Sequence, residues 1–109
     1  MYTPSFQSSV VYTLPAIDYA ADAVVSKIIT KNAAGNLTLF AFDKGQGLSK
    51  HSAPFDAIIQ VLEGNAKVTI DDKEHLLEAG QLIIMPANIP HSVDAIEQFK
   101  MLLIMIKGA

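Results

Sequence analysis

The sequence predicts an all-β fold, a sandwich or a small antiparallel barrel. Eight or nine short runs rich in β-branched and aromatic residues recur along the chain. Glycine, asparagine, aspartate and proline separate them, and the spacing is close to even. "SVVYTL" (Ser9 to Leu14) stops at Pro15, and "AVVSKIIT" (Ala23 to Thr30) stops at "KNAAGN". "LTLFAFD" (Leu37 to Asp43) meets "KGQG", and "DAIIQVL" (Asp56 to Leu62) meets "EGN", where Gly64 suits the positive φ of a tight turn. "AKVTI" runs into Asp71-Asp72, "EHLLEAG" ends at Gly80, "QLIIMPA" and "HSVDAI" flank "NIP", and "FKMLLIMIK" closes the series. One stretch reads two ways. The alanines of "DYAADAVVSKII" support a helix and its β-branched tail a strand, so a turn near Asp18 to Ala21 is the most the helix is given.

The 109 residues suit one domain with a single core, from residue 1 to 109. Half the residues are hydrophobic, which argues against a disordered chain. The net charge is −3 and dispersed, which argues against nucleic acid as partner. All eight basic residues are lysines, so the guanidinium fork that grips phosphates and carboxylates at two points is missing. There are no cysteines, hence no disulfides, thiolate metal sites or cysteine nucleophiles. The start has neither the basic region nor the continuous apolar core of a secretory signal. The longest apolar run, "MLLIMI", falls far short of the ~20 residues of a membrane helix. The expectation is a soluble, cytoplasmic protein without membrane contact.

Two patterns carry the chemistry. Gly45 is followed after five residues by His51, and the block closes at Gly64. Gly80 is followed after five residues by Pro86, with His91 five residues further on. In both respects the chain resembles the cupins, small jelly-roll barrels with two signature motifs, here about 45–64 and 80–95. The resemblance implies a small antiparallel jelly-roll barrel. The family's first motif continues with a second histidine and a glutamate, which fall here on Ala53 and Ala57. In the second motif Asn88 stands for a glycine and Ala95 for an asparagine. The usual set of three imidazoles and one carboxylate, which holds a divalent metal in the barrel, is therefore reduced to His51 and His91.

Alternation along a strand puts His51, Ala53, Phe55 and Ala57 on one face, with His91, Val93 and Ala95 on the facing wall. His51 and His91 are the candidate catalytic residues and the candidate, incomplete, ligands of a weakly held zinc, iron, manganese or nickel ion. With Phe55, Ile59, Met85 and Val93 they are the expected lining of a pocket for a small, neutral or weakly polar molecule. Asp56, offset by one residue, points to the other face together with Gln60. His75 reads as a surface residue, Glu63 as part of the turn with Gly64, and Tyr2, Tyr12 and Tyr19 as packing groups. Met101 and Met105 read as core or interface.

Three functions fit: a small-molecule-binding barrel, an enzyme (a metal-dependent oxygenase or isomerase, or a metal-free histidine acid–base catalyst), and a sensor acting through a separate partner. Strands apolar on both faces, "FKMLLIMIK" and "DAIIQVL", predict a homodimer; the resemblance to cupins points the same way and implies that "SVVYTL" lies against the partner.

Overall fold

The computed structural model describes residues 10–108. Among them are nine strands and no helix: β1 (Val24–Asn32), β2 (Gly35–Phe42), β3 (Gly47–His51), β4 (Asp56–Glu63), β5 (Asn65–Ile70), β6 (Lys73–Glu78), β7 (Leu82–Met85), β8 (His91–Asp94) and β9 (Phe99–Ile106). All pairings are antiparallel. They form a five-stranded sheet in the order β1-β2-β9-β4-β7 and a four-stranded sheet in the order β3-β8-β5-β6.

Period-2 alternation sorts the side chains. Ile59 and Val61 of β4, Met101 of β9 and Phe42 of β2 turn inward from the larger sheet and are wholly buried. They meet Val68 of β5 and Val93 of β8 in one core. Phe42 and Phe99 stack there with ring centroids 4.5 Å apart. The expected all-β jelly-roll architecture is what the chain adopts.

Two expected elements differ. Val10 to Leu14, the described part of "SVVYTL", form no strand; a turn spans residues 13–16. Pro15 cannot donate to a ladder, and the local bond that forms instead runs from the Ala16 amide to the Tyr12 carbonyl, 3.0 Å. The segment then crosses the outer face of the chain's own larger sheet, where Ile17 is buried on Leu39 and Ala41. Conversely, Gly47–His51 is a separate strand that the expected series lacked. The run from His51 to Leu62 is not continuous: Ser52 to Phe55 break it at Pro54, and the two halves enter different sheets.

The strap over the outer face is fixed by side chains that reach its backbone. Lys100, only 7% exposed, donates from Nζ to the Leu14 carbonyl at 2.6 Å and sits 5.1 Å from the Tyr19 ring centroid. Lys27 donates to the Ala16 carbonyl at 2.8 Å. The Tyr19 hydroxyl donates to Glu63 Oε2 at 2.6 Å, so Glu63, expected only in its turn, also anchors this segment. Burial, then the Glu63 bond and its negative charge, push the Tyr19 phenol well above its ordinary value.

Two of the left-handed residues bear on the turns and the motif. Gly64 has φ +76°, and a Cβ there would lie 2.4 Å from the Gln98 carbonyl oxygen. Asn88 has φ 65°, a conformation asparagine tolerates better than other non-glycine residues, which explains how it occupies a glycine position of the motif.

Two outcomes are expected. Gly64→Ala should lose about 1–3 kcal/mol in urea denaturation, from a strained φ and a backbone clash, while Asn88→Gly should stay within about 0.5 kcal/mol. The raised Tyr19 stabilises the fold fully below the ordinary phenol value of 10.0, and that contribution fades as pH rises above it. An alkaline denaturation series should therefore show a loss that is smaller in Tyr19→Phe.

Candidate functional site

Two imidazoles converge inside the barrel. β3 and β8 are neighbours in the smaller sheet, and His51 pairs directly with His91. The two imidazoles were expected from opposite walls; they come from adjacent strands. Their rings meet edge to face, with centroids 4.5 Å apart and an interplanar angle of 73°. The Nε2 atoms are 3.2 Å from each other. Each Nδ1 faces a backbone carbonyl two residues earlier in the chain: Ser49 at 2.7 Å for His51, Ile89 at 3.2 Å for His91. His51 stands exposed at the mouth, whereas His91 is 5% exposed.

Backbone bonds hold this geometry. A bulge between Leu48 and His51 adds a residue to β3, so both side chains turn inward although they are three apart. The loop before His91 is tied to the β3–β4 break twice: the Asn88 amide donates to the Ala53 carbonyl at 2.7 Å, and the Ala87 amide to Asp56 Oδ1 at 2.9 Å. Asp56 is thus a loop anchor facing away from the histidines.

The pair opens on a cavity of about 70 Å³. All six expected lining residues border it: His51, Phe55, Ile59, Met85, His91 and Val93. Sequence reasoning missed Leu48, Met101, Leu103 and Met105. The last three share one inward parity on β9 and were open to the same alternation argument, whereas nothing in the sequence marks the bulge that admits Leu48. Ala53 and Ala57 also border the cavity, so the two missing ligands of the motif leave methyl groups in its wall. The lining is otherwise apolar. Lys107 stands over Phe55, 5.6 Å from its ring centroid. Gln60 lies on the outer face, in register with Leu82 and Leu102, and His75 is exposed on β6, away from the pair.

Burial, then the neighbouring His51, lower the His91 pKa from the ordinary imidazole value of 6.5; the Ile89 bond opposes them. His91 is therefore a neutral imidazole near pH 7.

A model of the cupin domain matches residues 38–107, well over half the chain. This chain belongs to the cupin family. A search of curated proteins returns no match. Among solved structures, the cupin is similar to a conserved protein of unknown function from Streptococcus pyogenes, with 35% identity, a TM-score of 0.88, and coverage of 94% of this chain and 90% of that one. It is also similar to a cupin 2 conserved barrel domain protein from Leptotrichia buccalis, with 38% identity, a TM-score of 0.82, and coverage of 85% of this chain and 45% of that one. Salicylate 1,2-dioxygenase from Pseudoaminobacter salicylatoxidans shares the fold at 17% identity, with a TM-score of 0.72 over 81% of this chain and 26% of that one.

Cupins often hold a metal, and the residues here can be tested for one. The span of 3.2 Å between the Nε2 atoms suits two adjacent ligands, since bonds of ~2.05 Å at a tetrahedral angle put nitrogens about 3.3 Å apart. The donor count does not suit it. Zinc sites use at least three protein ligands, and among the described residues no group of three His, Cys, Asp or Glu side chains is placed to hold an ion. The set does not fit a resident metal.

His91 should titrate below 6.5 in histidine-detected NMR, and in His51→Gln its midpoint should move part of the way back up. Stability should be level above 6.5 and fall as pH drops from there through the lowered value, because the unfolded chain takes up a proton that the folded one refuses.

Proposed function

We propose that this cupin binds a small, neutral or weakly polar molecule inside its barrel, in the cytoplasm, without a resident metal ion. The observation that carries the reading is the cavity: apolar walls around one pair of convergent imidazoles, the composition of a ligand site with few orienting polar groups. Its size sets the scale. At about 70 Å³ it is well below the ~300 Å³ where drug-sized pockets begin, so the occupant is a molecule of a few heavy atoms, or the polar end of a larger one that projects through the mouth. The lack of arginine and the apolar lining disfavour a dianionic ligand such as a sugar nucleotide.

A second reading has its own support. A buried neutral imidazole beside an exposed one is the arrangement of a general base with a partner able to relay its proton, so metal-free acid–base catalysis at His91 follows from the same geometry.

The reading extends to a homodimer. The strap covers the β1–β2 side of the larger sheet's outer face, and beside it, around Gln60, lies an apolar patch. Leu37, Ile104, Ile58 and Ile84 lie in one row across four strands, beside Leu82. Ile84 and Leu82 are 54% and 56% exposed. A second copy related by a two-fold axis would cover this patch with the same patch.

Three measurements test these statements. Protein dialysed against a chelator should retain well below one equivalent of zinc, iron, manganese or nickel; a full, chelator-resistant equivalent would require donors not identified above. Neutral small molecules should shift the methyl resonances of Ile59 and Val93, and a sugar nucleotide should not. Light scattering should give twice the chain mass of 11.7 kDa, and Ile84→Glu should halve it; a monomeric parent chain would refute the dimer.

A further inference from the structure

Inward side chains of the larger sheet line up in rows across β7, β4 and β9, because residues in register share a face. One row is Ile83, Ile59 and Leu103, with a branched side chain on every strand. The next row is Met85, Ala57 and Met105, two long thioethers with only a methyl between them. Phe55, two residues before Ala57, closes the end of the series. Ile59, Met85, Ala57, Met105 and Phe55 all border the barrel cavity, so the gap over Ala57 belongs to it. The alanine that replaces a ligand of the motif thus opens a space with a defined shape.

That shape is a slot. Neighbouring strands lie about 4.8 Å apart, so Met85 and Met105, two strands apart, are rooted about 9.6 Å from each other. A flat ring needs a contact of about 3.5–4.0 Å on each face, about 7–8 Å in all. A ring one atom thick therefore fits between the two side chains. A saturated ring of the same size is puckered and carries hydrogens on both faces, so it presses both walls outward. The chemistry selects the same way, because thioether sulfur makes favourable contacts with aromatic rings. Methionine is also unbranched and adapts to what it touches. Met85 is buried and Met105 half-buried, so one wall is held by packing while the other has room to swing.

We propose that this slot selects a flat, uncharged ring, and that the ligand is a small aromatic molecule, or the aromatic end of a larger one, clasped between Met85 and Met105. The proposal rests on the ligand-binding reading of the barrel and names the class of group taken there. Ile59 is the floor of the slot, Phe55 its lip, and His51 and His91 line the cavity from the opposite sheet. Apart from the two histidines, no titratable side chain borders the cavity, so a charged ring would be buried without a partner. Size bounds the ring further. An apolar cavity of about 150 Å³ takes benzene. At about 70 Å³ this one suits a five-membered ring, with Met105 giving way as it enters.

Furan and tetrahydrofuran form the test. Both are neutral five-membered rings with one oxygen; the first is flat and aromatic, the second puckered and saturated. Binding to the full chain is followed by NMR of carbon-13-labelled methionine methyls and of the Ile59 and Val93 methyls. Furan is expected to shift the Met85 and Met105 methyls upfield together, as methyls over a ring face do. Replacing both walls, Met85→Leu with Met105→Leu, keeps their bulk and removes the sulfur. The preference for furan over tetrahydrofuran should then fall at least about threefold, a comparison in which each ring's own transfer from water cancels. Ala57→Val, which fills the slot, should abolish the furan shifts, and shifts that survive it would overturn the slot. Equal binding of the two compounds to the parent chain, or a preference unchanged in the double variant, would overturn the ring selection and leave the binding cavity standing. Furan that moves the Ile59 and Val93 methyls but neither methionine would do the same. If neither compound moves any of these methyls, the selection and the binding reading fall together.

Discussion

The architecture turns on four residues, Ser52 to Phe55, where the chain leaves one sheet and enters the other. A continuous strand from Gly47 to Glu63 would keep His51 in the larger sheet, remote from β8. Proline at position 54 forbids that continuity, because it offers no amide to a ladder. The two cross-loop bonds, from Asn88 to Ala53 and from Ala87 to Asp56, then hold the break against the loop that precedes His91. One interruption thus sets the sheet partition and brings the histidines to adjacent strands.

Much of this was legible beforehand, and the failures have physical causes. The glycine-histidine and glycine-proline-histidine spacings fix the barrel because each glycine marks a turn that only a few backbones permit. The cavity lining was legible because inward parity survives the break: Ala53, Phe55, Ala57 and Ile59 all border the cavity although they do not lie on one strand. Parity gives a face, however, and not a neighbour. It placed His51 and His91 on the right surface and could not show that they pair in register, which depends on the order β3-β8.

"SVVYTL" illustrates the opposite failure. Its composition suits a strand, but a strand needs a partner edge, and its neighbour on the barrel is a sheet face. On a face the apolar side chain is worth burying and the backbone finds no ladder. Ile17 therefore packs, and the carbonyls of Leu14 and Ala16 turn to lysine ammonium groups. A signal was present in Lys100, a lone charge between Phe99 and Met101 in an otherwise apolar strand. A buried ammonium must be satisfied by something outside its own sheet.

That arrangement has a consequence for the chain's opening segment. Lys100 and Lys27 donate to peptide oxygens of the strap, a feature every residue type supplies. The route across the barrel is thus written in the wall, while the traveller's own identity is little constrained outside Ile17 and Tyr19. Val10 and Tyr12, 78% and 73% exposed, stand outward on that flank. A barrel built this way can change the chemistry it shows on that flank, one exposed position at a time, without disturbing the histidines within.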